Sequence, residues 1–340
     1  MQNLGVIMNS SFINHIPVKI LTLLRFAIPV MFFCNGLIYA NTLNKIQIIT
    51  YNTGLAQFPI LPITIVPCNK SRLNGQLNEI EKKLKRPFIL ILQEVFRSSY
   101  FVYKSWAIKH KYSFTKTKVN KNGLMIITSE DIEQEFFIPF NRDTYMLKRG
   151  ILGIKISFDG NELLALNTHT SYSNSKKVNS VHVSQLKETE MILDKFKNKT
   201  VVLGCDLNIG NDLRYIDQTY DPIVTLWHPF ISSLHSNFSE IDYENQSVSW
   251  DRSNNPLIHK ANFQLFDNFD LPLLHQFDKN EEEDSQLDHI FISSDIEVVY
   301  GAKVLLNKPI NISKCKNYKN ENDETYLSDH YALEAMISLQ

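Results

Sequence analysis

Apolar runs of strand length recur along the chain at 46–51 (IQIITY), 88–92 (FILIL), 123–128 (GLMIIT), 151–158 (ILGIKISF), 163–168 (LLALNT), 200–205 (TVVLGC), 287–292 (LDHIFI) and 331–337 (YALEAMI). Several are apolar at every position rather than at alternate ones, which predicts strands buried on both faces. Two stretches between them carry helical spacing instead. In 71–86 the stripe is Leu73, Leu77, Ile80 and Leu84; in 177–196 it is Val178, Val181, Leu186, Ile192, Leu193 and Phe196. Helices alternating with buried strands predict an α/β fold in which sheets pack inside helices. The polar segments 171–179, 237–256, 278–286 and 313–326 predict loops, and the acidic run Glu281–Asp284 reads as a solvated one. No internal repeat and no Gly/Ser-rich or Pro-rich linker divides 41–340, so that stretch is expected to be a single domain.

The first 40 residues follow a different pattern. Lys19 and Arg25 precede an apolar run, 26–40 (FAIPVMFFCNGLIYA), and polar residues follow it. A basic flank, a short apolar core and a small terminal residue predict a secretory signal at 1–40, cleaved after Ala40. The run contains Asn35 and Gly36 and is shorter than the ~20 residues a spanning helix needs. The expected location is therefore secreted or periplasmic. The whole chain carries 35 Lys and Arg against 36 Asp and Glu, a net charge of −1. Without residues 1–40, which hold two of the basic groups and no acidic one, the balance moves to −3. That argues against a protein that wraps nucleic acid by bulk electrostatics. A hydrophobic content of 44% excludes intrinsic disorder, and four cysteines in 340 residues exclude a disulfide scaffold. Cys205 lies in an apolar strand pattern and is expected to be a buried thiol, whereas Cys68 and Cys315 lie in polar loops where a pairing is open. The absence of CxxC and HExxH argues against structural zinc.

Candidate chemistry collects where polar residues end the apolar strands. Asn52 follows 46–51, Gln93-Glu94 follow 88–92, His169 follows 163–168, and Asp206 follows 200–205 with Asn208 two residues on. Asp288 stands near the start of 287–292, and Asp329-His330 lead into 331–337. Each alone has an ordinary reading as a turn former, a helix cap or a hydrogen-bonded rim residue. Together, at the rim of one sheet assembly, they supply what phosphoester hydrolysis requires. Carboxylates hold a hard divalent cation. Amides and one imidazole donate hydrogen bonds to phosphate oxygens. A second imidazole, polarised by an acid, takes a proton from water. No GxSxG motif is present, so water is the expected nucleophile.

The ordered blocks Tyr51-Asn52, Leu92-Gln93-Glu94-Val95-Phe96, Asn167-Thr168-His169-Thr170, Gly204-Cys205-Asp206-Leu207-Asn208, Leu287-Asp288-His289-Ile290-Phe291 and Ser328-Asp329-His330-Tyr331 resemble the endonuclease/exonuclease/phosphatase superfamily. The resemblance spans about residues 46–339. It implies a DNase I-like, four-layer α/β-sandwich, with two central mixed β-sheets flanked by helices. Within the superfamily the chain looks most like the bacterial neutral sphingomyelinases, an impression strengthened by Ser249-Trp250-Asp251, Asn254-Asn255-Pro256-Leu257 and the C-terminal block.

That resemblance implies a role for each matching residue. Glu94 would be the main Mg²⁺ ligand, with Asn52 beside it and Asp329 supporting the metal or its waters; another divalent cation such as Mn²⁺ would also suit the site. His330 would be the general base, oriented by Asp288. Asn208 and His169 would hold phosphate oxygens, Trp250 would contact substrate, and Asp206 would position the water or assist the leaving oxygen. Whether Asp206 or His330 is the base stays open. The implied reaction is hydrolysis of sphingomyelin, or a related phospholipid, to ceramide and phosphocholine. The implied partner is a phospholipid at a membrane surface, with no stable nucleic-acid partner and a monomeric protein. A secreted nuclease and an inositol-lipid phosphatase of the same superfamily are the alternatives. The chain departs from the pattern at Cys205, where a small residue is usual, at Arg97, where many members carry an acid, and at His289, where Tyr is common. Trp227, Phe230, Ile231 and Leu234 have two readings, an exposed membrane-dipping segment or core packing, and the second is favoured because contiguous exposed apolar patches are uncommon.

Overall fold

All eight apolar runs form strands and both helical patterns form helices in a computed structural model. It describes residues 45–55, 66, 68–116, 122–143, 148–171, 176–210, 222–234, 237–251, 253–255, 257–258, 284–312 and 324–339. The expected export signal at 1–40 lies outside the described residues, as does Cys315; Cys68 is disulfide-bonded.

One six-stranded sheet runs in the order β11 (Ile296–Leu305), β14 (Ala332–Leu339), β1 (Lys45–Asn52), β2 (Phe88–Gln93), β4 (Met125–Thr128), β3 (Ser113–Phe114). The other runs β5 (Ile132–Pro139), β6 (Gly150–Phe158), β7 (Asn161–His169), β8 (Val201–Asp206), β10 (Asp288–Ser293), β9 (Phe238–Glu240). A small ribbon pairs β12 (Ile310–Asn311) with β13 (Glu324–Thr325). β1 and β2 are parallel, as are β7 and β8, while the remaining pairs are antiparallel.

The two-faced burial predicted for the central strands has a direct cause. Alternate side chains of a strand point to opposite faces, so a strand in the middle of a four-layer stack needs apolar groups at both sets of positions. In β2, Ile89 and Ile91 face the other sheet, while Phe88, Leu90 and Leu92 face the helices. In β10, Ile290 and Ile292 face inward and Phe291 faces the helices. The helices α1 (Asn69–Lys83) and α2 (Arg97–His110) cover the first sheet through Leu73, Leu77, Ile80, Tyr103 and Trp106. The helices α3 (Lys176–Asp194) and α4 (Pro222–Leu234) cover the second through Leu186, Ile192, Leu193, Trp227, Phe230 and Leu234. The result is the DNase I-like α/β-sandwich with two mixed six-stranded sheets. Trp227, Phe230 and Leu234 are buried and Ile231 packs against them, so this segment is core rather than an exposed membrane-dipping element.

Elements without a signal in the apolar runs sit at the margins of the layers. β5 and β11 are edge strands, partly exposed, and β11 carries register shifts at Tyr300. Edge strands bury one face or less, so their sequences alternate weakly. In α2 the apolar residues lie all round the helix, with Phe101 and Ile108 exposed and Tyr103 and Trp106 buried, so no single stripe stands out. Three predicted loops also differ in part, one of them 313–326, which contains the short strand β13. α3 begins at Lys176, inside 171–179, and 237–256 contains the short strand β9.

Candidate active site at the shared rim

Strand direction brings the polar strand ends together. β1 and β2 run parallel and end at one rim, and β14, antiparallel to β1, begins there. In the second sheet β7 and β8 end at the rim and β10 begins there, so the register pairs His169 with Asp206 and Asp206 with Asp288. The two sheets approach closely near this end. A Cβ on Gly204 would lie 2.8 Å from Cδ1 of Ile91 and 2.9 Å from Cβ of Thr50, so a side chain there would push the sheets apart. Beyond Gly204 the interface becomes polar. Gln93 Nε2 donates to Thr50 Oγ1 at 3.1 Å and to Asn167 Oδ1 at 2.9 Å, and Asn167 Nδ2 donates to the carbonyls of Leu92 (2.8 Å) and Met125 (3.1 Å). This buried network, in which Gln93 Oε1 alone has no partner among the described residues, holds the two rims in register.

Asp206 is the centre of the site and is fully buried. Its Oδ2 accepts from Asn52 Nδ2 at 2.7 Å across the sheet interface. The same oxygen lies 3.5 Å from His169 Nε2 and 3.8 Å from His330 Nε2. Its Oδ1 accepts from the backbone N–H of Asn208 at 2.9 Å, and Asn208 takes a left-handed φ of 51° in doing so. His330 Nδ1 lies 2.8 Å from Asp288 Oδ2, which orients the ring, and the Trp250 ring packs edge-on against it at 4.8 Å. Glu94, with φ 58°, turns the chain at the end of β2. Asp329 lies against the turn after β1, where a Cβ on Gly54 would fall 2.3 Å from Asp329 Oδ1; Gly54 has φ 58° and no side chain to clash. Asn52, Glu94, His169, Asp206, Asn208, Trp250, Asp288, Asp329 and His330 thus all stand at this one rim.

The electrostatics are those of a site short of positive charge. Burial, together with the negative charges of Asp329 and Asp206, pushes the Glu94 carboxyl up to about 7, against a counter-pull from His330 and Arg149. Burial also raises Asp206 to about 6, although His330 and the Asn52 amide favour its ionised form. Burial alone would lower His330, but the Asp288 and Asp206 carboxylates prevail and hold it up at about 10. His169 moves the other way, pushed well down by burial and then by the positive charges of Arg149 and His330. Carboxylates that resist ionisation in a polar pocket are what a divalent cation would relieve. The donor set fits such an ion: Asp206, Asp288 and His330 each offer a ligand atom within 4.8 Å of the others, and Glu94 adds hard oxygen ligands on the same rim.

Two arginines complete the site, and neither belongs to a recognisable motif. Arg149, just before β6, donates through Nη1 to the carbonyls of His169 (2.8 Å) and Thr170 (2.9 Å), while its buried Nε finds no partner among the described residues. It brings a cation next to Glu94 and Asp206. Arg72, in α1, is fully buried and ties down the chain on either side of the rim. It donates to the carbonyls of Gly54 at 2.6 Å and Leu327 at 2.7 Å and to Asn69 Oδ1 at 2.8 Å. Gln76, one turn on, donates to the carbonyls of Thr53 and Leu327, both at 2.7 Å. The one trace in the sequence is their i, i+4 spacing beside the apolar stripe of α1.

Comparison with known proteins agrees with this architecture. The structure resembles a beta toxin double mutant from Staphylococcus aureus with bound magnesium ions (TM-score 0.61, 17% identity, 86% of this chain and 99% of that one). It also resembles sphingomyelinase C from Streptomyces griseocarneus (TM-score 0.60, 15% identity, 86% and 99%). A third similar structure is D. rerio TDP2 complexed with a single-strand DNA product (TM-score 0.57, 15% identity, 86% and 99%). At these identities the likeness is one of fold. No curated protein matches the chain by sequence. The model of the Endonuclease/Exonuclease/phosphatase family, however, matches residues 49–330, which include every residue of the rim just described. The chain belongs to the endonuclease/exonuclease/phosphatase family, as a hydrolase of phosphodiester bonds with a candidate divalent-metal site at its rim.

Proposed function

We propose that the protein is an exported, Mg²⁺-dependent phosphodiesterase that hydrolyses sphingomyelin, or a closely related phospholipid, to phosphocholine and the lipid alcohol. The observation that carries the reading is the rim itself, a cation-deficient carboxylate cluster beside an imidazole held by a buried carboxylate. Glu94 would hold the ion with Asn52 and Asp329, which leaves the neighbouring group of Asp206, Asp288 and His330, itself able to ligate a cation, for the proton chemistry. Bound there, Mg²⁺ would polarise a phosphoryl oxygen and neutralise charge developing on it. The protein's own residues do the rest. His330, fixed by Asp288, takes a proton from the attacking water. Asp206 Oδ2 faces His330 Nε2 across 3.8 Å, so a water lying beside that pair would be held by both groups. Asn208 and the neutral His169 donate hydrogen bonds to the phosphoryl oxygens, with Arg149 behind them as a fixed positive charge. Trp250 closes one side against His330.

A lipid substrate is supported by α2, which starts three residues after Glu94. It contains no Asp or Glu but carries Arg97, Lys104, Lys109 and His110, with Lys111 as its C-cap. Phe101 and Ile108, 58% and 57% exposed, lie on one face with Arg97 and Lys104. Basic and apolar groups on one helix face suit a bilayer surface. The resemblance in fold to beta toxin and to sphingomyelinase C points the same way, and the segment 1–40, read as an export signal, would put the enzyme where it meets such membranes. The second reading is a nuclease, favoured by the likeness to TDP2 and opposed by the small acidic excess of the chain without residues 1–40.

The deciding assay offers the purified protein with Mg²⁺ to sphingomyelin vesicles, phosphatidylcholine vesicles and plasmid DNA in parallel. Phosphocholine release from sphingomyelin is expected. Plasmid degradation without lipid hydrolysis would replace this reading with the nuclease.

A further inference from the structure

The turn after β8, which carries Asp206 and Asn208 into the site, is gripped by two buried histidines that the chemistry above does not use. On one side His182, in α3, is 1% exposed, and its Nε2 lies 2.8 Å from the carbonyl of Leu207 and 3.2 Å from Thr170 Oγ1. On the other side His289, in β10, is fully buried, and its Nε2 lies 2.7 Å from the carbonyl of Ile209. These two carbonyls flank Asn208. The opposite nitrogen of His289 lies 2.6 Å from Glu240 Oε1 in β9, so both ring nitrogens face acceptors and both must carry protons to satisfy them. The His289 ring stacks on Trp227 of α4 at 4.3 Å and 23°. The turn also has no slack toward β10, because a Cβ on Gly210 would fall 1.6 Å from the carbonyl oxygen of Gln286. Asn208 itself keeps a left-handed backbone, a conformation that a loosely held turn would leave for an ordinary one.

We propose that His289, anchored by Glu240, acts with His182 as a pair of positioning residues that clamp the Leu207 and Ile209 carbonyls and so aim Asn208 at the phosphoryl group. The clamp acts through hydrogen-bond geometry, and neither histidine touches the reacting atoms. Because the clamp is defined by the backbone it holds, it is specific to the placement of Asn208 rather than to the packing of the second sheet at large. The role assigned to Asn208 rests on the proposed phosphodiesterase reading.

The experiment compares His289→Phe, which preserves an aromatic stack on Trp227 but removes both hydrogen bonds, with Glu240→Gln and with Phe230→Leu, a packing control on the same helical face. Two readouts are taken on the full chain. The first is kcat and KM on whichever phosphodiester the wild type hydrolyses. The second is hydrogen exchange of the backbone amides at 208–210. His289→Phe is expected to lose roughly 10- to 100-fold in kcat, as expected for a small misplacement of a positioned group, with KM changed by less than about 3-fold. Its 208–210 amides are expected to exchange at least about tenfold faster. Glu240→Gln, which still offers His289 an acceptor, is expected to fall between His289→Phe and wild type on both readouts. Phe230→Leu is expected to lower the melting temperature while leaving kcat and the 208–210 exchange near wild type. Unchanged exchange at 208–210 in both His289→Phe and Glu240→Gln overturns the proposal, as does a kcat loss matched by Phe230→Leu. A wild type inactive on every phosphodiester overturns the functional reading instead, and the exchange measurement still decides the clamp.

Discussion

Replacing His330 with alanine is expected to lower kcat by roughly 100- to 10,000-fold, the usual contribution of a positioned general base. The melting temperature should fall as well, because the buried Asp288 carboxylate loses its partner, so kcat is compared well below the melting temperature of the variant. The expectation follows from the two contacts of the ring. Asp288 takes one nitrogen at 2.8 Å, which leaves the other as the proton acceptor facing Asp206. The same two carboxylates favour the imidazolium and hold the ring at about 10. A base must be neutral to act, so the rate should rise with pH across the neutral range. A cation on Glu94, by offsetting the negative field, should move that rise to lower pH. The rising limb should disappear in His330→Ala. A variant that kept wild-type kcat with the same pH profile would show that Asp206, or another group, is the base.

The second large effect concerns stability. Arg72→Met is expected to cost about 3–5 kcal/mol in unfolding free energy, as for other broken buried charge networks. That is a large part of the 5–15 kcal/mol of a typical domain. Methionine keeps the length of the side chain but leaves the carbonyl of Gly54 and the Asn69 amide oxygen without this donor, and the Leu327 carbonyl with Gln76 in place of two donors. Both carbonyls belong to segments that enter the site, the turn after Asn52 and the approach to Asp329. The loss should therefore show as a lower denaturation midpoint and, near the midpoint, as lost activity. A change below about 1 kcal/mol would mean that water replaces the arginine at these carbonyls.

What could be read from the sequence divides along physical lines. The central strands were legible because two-sided burial leaves an uninterrupted apolar run, as in FILIL before Gln93-Glu94. The residues at the rim were legible for the same reason, since a polar group is conspicuous where such a run stops. β5, β11 and α2 were hidden because their burial is partial. The arginines and the two clamping histidines were hidden for a different reason. Arg72, Arg149, His182 and His289 all work by donating to backbone carbonyls, and a carbonyl belongs to every residue, so no pairing of side-chain types marks the contact. Arg72 sits in α1 next to the apolar stripe and reads there as a surface cation. His289 reads as a substituted aromatic beside Asp288, and only the carbonyl of Ile209 and the Glu240 carboxylate around it show what it holds.

The carboxylate cluster at the shared rim would bind the divalent ion on which phosphodiester hydrolysis depends. The most direct measurement is the Mg²⁺ dependence of hydrolysis after chelation with EDTA, for the wild type and for Glu94→Gln side by side. EDTA is expected to abolish wild-type hydrolysis, and added Mg²⁺ to restore it. Glu94→Gln, which removes one ligand charge while keeping the side-chain shape, is expected to need at least roughly tenfold more Mg²⁺ for half-maximal rate, in line with about 1.4 kcal/mol or more of lost ion binding. Full hydrolysis in the presence of EDTA, or an unchanged Mg²⁺ requirement in Glu94→Gln, would contradict a metal-dependent rim.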